Sequence, residues 1–189
     1  QDNAFQTAGA YAKSKGCLVH FAHGNSSAQN NNSHADVTIV GSVNSNDQLS
    51  WFSNYGAAQD CVAPGENIWS CSNSGDTSYQ GTGWDGTSFA SPIAAGISAL
   101  IKGRNFSLTP NQVENILLST CKDLGAAGKD NIFGWGRVDA QKALQNTPAP
   151  YEVNPSSYNV GPQGQEIGAN NVSKIVNDDG TRAEAQNTA

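Results

Sequence analysis

Residues 86–92, Gly-Thr-Ser-Phe-Ala-Ser-Pro, hold a hydroxyl where it could act as a nucleophile. Gly86 lets the chain turn sharply with no Cβ in the way, Thr87 and Ser88 are residue types that cap helices, and the run from Phe89 to Leu100 continues in small and apolar residues. Ser88 is therefore predicted at a helix N-terminus. The first four N–H groups of a helix lack internal partners, and the macrodipole adds partial positive charge there. An oxyanion forming beside Ser88 would be stabilised by both. Pro92 agrees with this reading, because its missing N–H falls within or next to the turn whose donors are free. Ala90, Ala94, Ala95, Gly96 and Ala99 give the helix almost no bulky polar face, which predicts burial on most sides against a sheet. A serine before an apolar run is also a common N-cap, so the heptad alone leaves a structural and a chemical reading open.

A second candidate group lies upstream. The largely apolar run Gly16-Cys17-Leu18-Val19-His20-Phe21-Ala22 leads into His23-Gly24-Asn25, the pattern of a buried strand running into a tight turn. Gly-Asn is by itself an ordinary turn signal, and Asn25-Ser26-Ser27 also matches a glycosylation sequon. Val37 to Val43 reads as another buried strand, and Cys61-Val62-Ala63-Pro64-Gly65 as a strand and turn. Further on, Thr109-Pro110 gives a cap and a first-turn proline. Val113, Ile116 and Leu117 form an apolar stripe at helical spacing, predicting a helix to about Cys121. Asp139 is placed to cap a closing helix, and Phe5, Ala8, Tyr11 and Ala12 mark one at the start. Strands alternating with helices at this spacing indicate an α/β layer fold with parallel strands.

The heptad around Ser88 resembles the serine motif of the subtilisin-like serine peptidases (subtilases) at every position. The likeness extends through Gly24-Asn25, through the loop Trp51-Phe52-Ser53-Asn54-Tyr55-Gly56, through the strand and turn at 61–65, and through Gly134-Trp135-Gly136-Arg137-Val138-Asp139-Ala140. These landmarks stand in the family's order and span roughly Asp2 to Gln145. The resemblance implies a three-layer fold with a mostly parallel sheet and helices on both faces. It implies Ser88 as nucleophile, the Asn25 side-chain amide as an oxyanion donor, and Phe21, Ala22, His23 and Gly24 as one wall of the pocket for the residue preceding the scissile bond.

A serine hydroxyl needs a base to take its proton, and that base needs a third group to orient it. Subtilases carry these on an Asp-x-Gly type and a His-Gly-Thr type motif ahead of the Gly-Asn turn, and neither stands in this chain. The expectation is that residues 1–146 are the C-terminal half of a catalytic domain, with the N-terminal half absent and little activity in this piece alone. The three histidines are read as structural or surface residues: His20 within the strand, His34 in the Asn/Ser-rich loop, and His23 at a position where the family usually has a small residue. Asp85 replaces an asparagine found in some relatives. Sedolisin-type peptidases share a similar serine motif but carry a carboxylate where Asn25 stands, a poorer match.

Composition bounds the partners. In 189 residues the charged fraction is 14%, and the chain is rich in Gly, Ser and Asn, which describes a loop-rich globular protein. A net charge of −6 lacks the clustered Lys and Arg that nucleic acid requires, and no apolar stretch is long enough to span a bilayer. Cys17, Cys61, Cys71 and Cys121 lack zinc-site spacing; Cys61 and Cys71 could bridge in an oxidising compartment, or remain free thiols. No cofactor is needed for the chemistry. Calcium often supports this family, and the Asn30 to Val37 loop resembles one such region, without an EF-hand pattern. After Gln145, Pro148-Ala149-Pro150 reads as a stiff linker. Residues 147–189 then read as a linker with a partial or disordered β-rich extension, including short strands near Tyr151 and Tyr158. Two functions compete. One is a secreted serine endopeptidase that meets protein or peptide substrates and the missing N-terminal half; the other is a non-catalytic scaffold of the same fold that binds a partner.

Overall fold

A computed structural model describes residues 3–32, 34–72, 74–80 and 83–149. The expected strands near Tyr151 and Tyr158 lie outside the described residues. Helix α1, Asn3–Ser14, is followed by strands β1, His20–Ala22, β2, Thr38–Val43, and β3, Cys61–Pro64. A short pair, β4, Ser70–Cys71, and β5, Tyr79–Gln80, precedes helices α2, Thr87–Arg104, α3, Pro110–Ser119, and α4, Ala140–Asn146.

The first three strands form one parallel sheet in the order β1-β2-β3. His20 pairs with Thr38 and Val40 pairs with Cys61. Every residue of β2 is buried, as its run of β-branched and small residues predicts for the middle of a parallel sheet. Strand β1 is shorter than its apolar run suggested. Gly16 and Cys17 are taken by the end of α1, where the Gly16 N–H donates to the Lys13 carbonyl at 3.0 Å and the Cys17 N–H to the Ala12 carbonyl at 3.0 Å. Gly16 makes this helix cap with φ of 82°, a conformation glycine adopts without steric cost. β1 stands at the end of the sheet, so it is half-buried rather than buried, and Phe21 is 45% exposed.

Helix α2 crosses the sheet and touches all three strands, and α3 and α4 pack on it. Its buried residues Thr87, Ala90, Ser91, Ala94, Ile97, Ser98 and Ile101 recur at spacings of three and four, which is one helical stripe. In this chain the helix is thus covered on a single face, not on most sides, and Leu100 is 52% exposed. Ala90 and Ala94, both fully buried, let the helix approach the sheet closely, while Ile97 and Ile101 fill the space beside Val40, Ala63, Val113 and Leu117. Burying such aliphatic side chains contributes about 1.5–3 kcal/mol each.

The expected caps form. Thr109 accepts from the Gln112 N–H while the Gln112 side chain accepts from the Thr109 N–H, with Pro110 in the first turn. Asp139 accepts from the Lys142 N–H at 2.9 Å. The segment before α4 lies along β3, where the Val62 N–H donates to Gly136 and the Val138 N–H to Val62.

Candidate active site

The site is assembled where the C-terminal ends of parallel strands meet the start of α2, the edge at which open α/β sheets bind ligands. The turn after β1 brings Gly24 and Asn25 there. The turn after β3 brings Gly65, whose carbonyl accepts the Gly86 N–H at 2.8 Å and so fixes the entry to α2.

Neither Thr87 nor Ser88 caps α2, contrary to the reading of their types. Gly86 is the N-cap residue and makes no side-chain cap. The cap is supplied from another part of the chain: Asn25 Oδ1 accepts the Thr87 N–H at 2.9 Å and the Thr87 hydroxyl at 2.8 Å. The Thr87 hydroxyl in turn accepts the Gly24 N–H at 3.1 Å. With its oxygen held by two donors, the Asn25 amide has one orientation, and its Nδ2 donor is left out of both bonds. The convergence shows at Gly86. A Cβ built on it would lie 3.0 Å from Ser88 Oγ and 3.2 Å from Asn25 Nδ2, so both groups border the small space that glycine leaves open. Asn25 is thereby tied to the start of α2, 62 positions on, through the buried Thr87.

The helix start adds a second donor. Phe89 and Ala90 direct their N–H groups to the Gly86 carbonyl, and Thr87 gives its own to Asn25. Among the described residues the Ser88 N–H has no acceptor, which leaves it for an external oxygen at the positive end of the helix dipole. Pro92 sits inside α2, just past the first turn, and the donor it lacks is the one that would reach the Ser88 carbonyl. Ser88 is exposed, as a nucleophile must be.

The residues expected to wall the pocket divide. Phe21 is exposed, Ala22 and Gly24 are partly so, and His23 is buried with its ring turned inward, its Nδ1 2.6 Å from Gln59 Oε1. Burial pushes the His23 pKa below the usual imidazole range, against the opposing effects of the Gln59 hydrogen bond and the Asp60 charge. His20 is lowered to about 4 by burial, opposed by Glu114. Neither ring approaches Ser88 by any hydrogen bond among the described residues.

Thr87 was legible only as a cap; its bonds to Asn25 and Gly24 cannot be read from one strand of sequence, because they link segments far apart. Asp85 accepts the Asn67 N–H at 2.7 Å and so shapes the loop before Gly86. In the loop after β1 the Asn30 and Asn31 side-chain oxygens accept N–H groups of Asn32 and Ala57, and among the described residues no group of three or more His, Cys, Asp or Glu side chains is placed to hold a metal ion. All four cysteines are free, Cys61 and Cys121 buried, Cys17 and Cys71 exposed. Among the described residues no helix is long and apolar enough to cross a membrane.

The subtilase family, Peptidase S8, matches residues 1–136. The chain is 38% identical over 140 residues to subtilisin BL of Lederbergia lenta, covering 71% of this chain and 48% of that protein. It is 30% identical over 163 residues to a calcium-dependent protease of Nostoc, covering 69% of this chain and 25% of that protein. A solved structure of proteases from Pseudoalteromonas arctica aligns with a TM-score of 0.65 at 32% identity, over 77% of this chain and 47% of that one. A lanthipeptide protease structure aligns with a TM-score of 0.66 at 27% identity, over 75% of this chain and 54% of that one. The chain spans about half the length, or less, of these relatives. With a family match over most of its length and an α/β core like those of solved subtilisin-like proteins, this chain belongs to the subtilase family of serine peptidases.

Proposed function

We propose that this chain is the serine-bearing part of an endopeptidase that cleaves peptide bonds through an acyl-enzyme on Ser88. The observation that carries the reading is that Ser88 Oγ and Asn25 Nδ2 both border the space that Gly86 leaves open. A scissile carbonyl entering there would place its carbon against Ser88 Oγ and its oxygen between the Asn25 amide and the Ser88 N–H. As the hydroxyl attacks, that oxygen gains charge that two pre-set donors accept without reorganisation. The bond from Ser88 to the acyl group forms as the peptide C–N bond breaks, the proton goes to the leaving amine, and water then releases the acid and restores the hydroxyl.

The proton carrier and the aspartate that orients it belong, in this reading, to a preceding portion of the parent catalytic domain, together with the opposite pocket wall. In the parent, residues 1–146 complete a three-layer domain with helices on both faces of a longer parallel sheet. Phe21, Ala22 and Gly24 border the substrate; His23 supports them from beneath. The relatives' names support a protease that meets protein or peptide substrates, and we place the parent at the cell exterior.

The test is kinetic, in the full-length parent. Ser88→Ala should abolish turnover of a peptide substrate. Asn25→Ala should lower kcat by about 10²–10³-fold with KM little changed, a range already known from loss of this type of donor in a subtilisin of the same family. A parent that turns over no peptide while still folding would favour the binding-scaffold reading, and one that cleaves normally with alanine at 88 would refute the site.

A further inference from the structure

We infer that Asn54 is the positioning residue of the oxyanion turn, acting through Asn25 without touching substrate; this rests on the site reading above. Asn54 lies in the loop between β2 and β3, and it grips the turn at points on either side of Asn25. Its Nδ2 donates to the His23 carbonyl at 2.9 Å, and its Oδ1 accepts the N–H groups of Ser26 and Ala28, both at 3.0 Å. Its own N–H donates to the Gly24 carbonyl at 2.9 Å. Four hydrogen bonds from one residue therefore fix residues 23, 24, 26 and 28, and the residue they enclose is the one whose amide must point at Ser88.

Only a side-chain amide offers a donor and a two-fold acceptor within this length: aspartate lacks the donor and leucine lacks both. The turn is cut to fit it. Gly24 has φ of 108°, and a Cβ there would stand 2.5 Å from Asn54 Nδ2, so the close approach needs glycine.

The inner side of the turn is held separately. His23 Nδ1 meets Gln59 Oε1, and Gln59 Nε2 donates to the Ile132 carbonyl. Because that donor is committed, Gln59 presents its oxygen to the ring, and His23 carries its proton on Nδ1. Gln59 is fully buried against Gly41, where a Cβ would lie 2.3 Å from its Oε1. The inner grip is thus part of the core. The outer one rests on a single partly buried side chain and can be altered without opening the interior.

A displaced amide donor weakens charge stabilisation in the transition state but leaves ground-state binding almost as it was. In the full-length parent, Asn54→Ala is expected to lower kcat about 10- to 100-fold with KM within about 2-fold, since misplacement on the order of 1 Å suffices for such a loss. Asn54→Asp, which keeps both acceptor bonds, should recover part of that loss and serves where the alanine variant does not fold. In an Asn25→Ala background the same Asn54→Ala change should cost less than about 2-fold, because the group it positions is gone. A kcat unaffected by both Asn54 variants, a KM that rises in step with the loss, or an undiminished loss in the Asn25→Ala background would overturn the inference. Asn25→Ala by itself separates the two readings: if it leaves kcat unchanged, the site assignment fails and this inference with it, whereas a slow Asn25→Ala beside an unaffected Asn54→Ala sinks this inference alone.

Discussion

At the scale of single residues, what decides the chemistry is which polar atoms are already committed. Asn25 Oδ1 is satisfied twice and its Nδ2 is not drawn into either bond, so a common turn residue becomes a directed donor. The thiols follow the same logic with the opposite result. Burial raises Cys121 to about 12 and pushes Cys61 well above the ordinary thiol range, so neither is a nucleophile near neutral pH. Cys17 and Cys71 stand exposed. A disulfide-forming aromatic reagent at pH 8 should therefore modify two thiols of the native chain and all four after denaturation. Finding only two in the denatured chain would mean that a pair had bridged, Cys61 with Cys71 being the pairing that spacing alone leaves open. Ser88 and Asn25 were singled out in the sequence because short motifs carry them, and the structure brings both to the open side of Gly86. Thr87 and Asn54 were not read in their roles: each acts by hydrogen bonds to segments distant along the chain, and nothing in local composition encodes a partner.

At the scale of elements, β2 and α3 were readable because each obeys a rule that local sequence satisfies: a β-branched run for one, a capping box and an apolar stripe for the other. The length of β1 was not, because the preceding helix takes Gly16 and Cys17 for its own end. This strand also carries a titrating group. His20 is half-buried, its two ring nitrogens are shielded from solvent and lack partners among the described residues, and it lines a cavity of about 200 Å³ with Leu18, Ala95, Ser98 and Val113. Its pKa of about 4 in the folded chain lies below the ordinary 6.5, so between these values the unfolded chain binds the extra proton. Stability from this group is complete above about pH 6.5, drains away as pH falls toward 4, and changes no further below that. Urea unfolding should show the native chain losing roughly 2–3 kcal/mol more than His20→Leu between pH 7 and pH 4. Parallel pH profiles for the two chains would remove His20 from this account.

At the scale of the whole molecule, a three-stranded parallel sheet and one long helix suffice to bring two turns and a helix start to one point. The order of landmarks along the chain was visible in sequence, and so was the α/β class. The small size of the sheet and the single covered face of α2 were not, since both depend on contacts between segments distant along the chain. On the proposed reading, the chain holds the charge-stabilising side of the site and a preceding portion of the parent brings the proton-transferring side to it. A fluorophosphonate probe applied to the full-length parent tests this most directly, because it reacts only with a serine that is both activated and set beside an oxyanion site. Peptide mapping should find a single adduct on Ser88, formed far more slowly when Asn25 is alanine. An adduct on another serine, or labelling at Ser88 that does not depend on Asn25, would contradict the account.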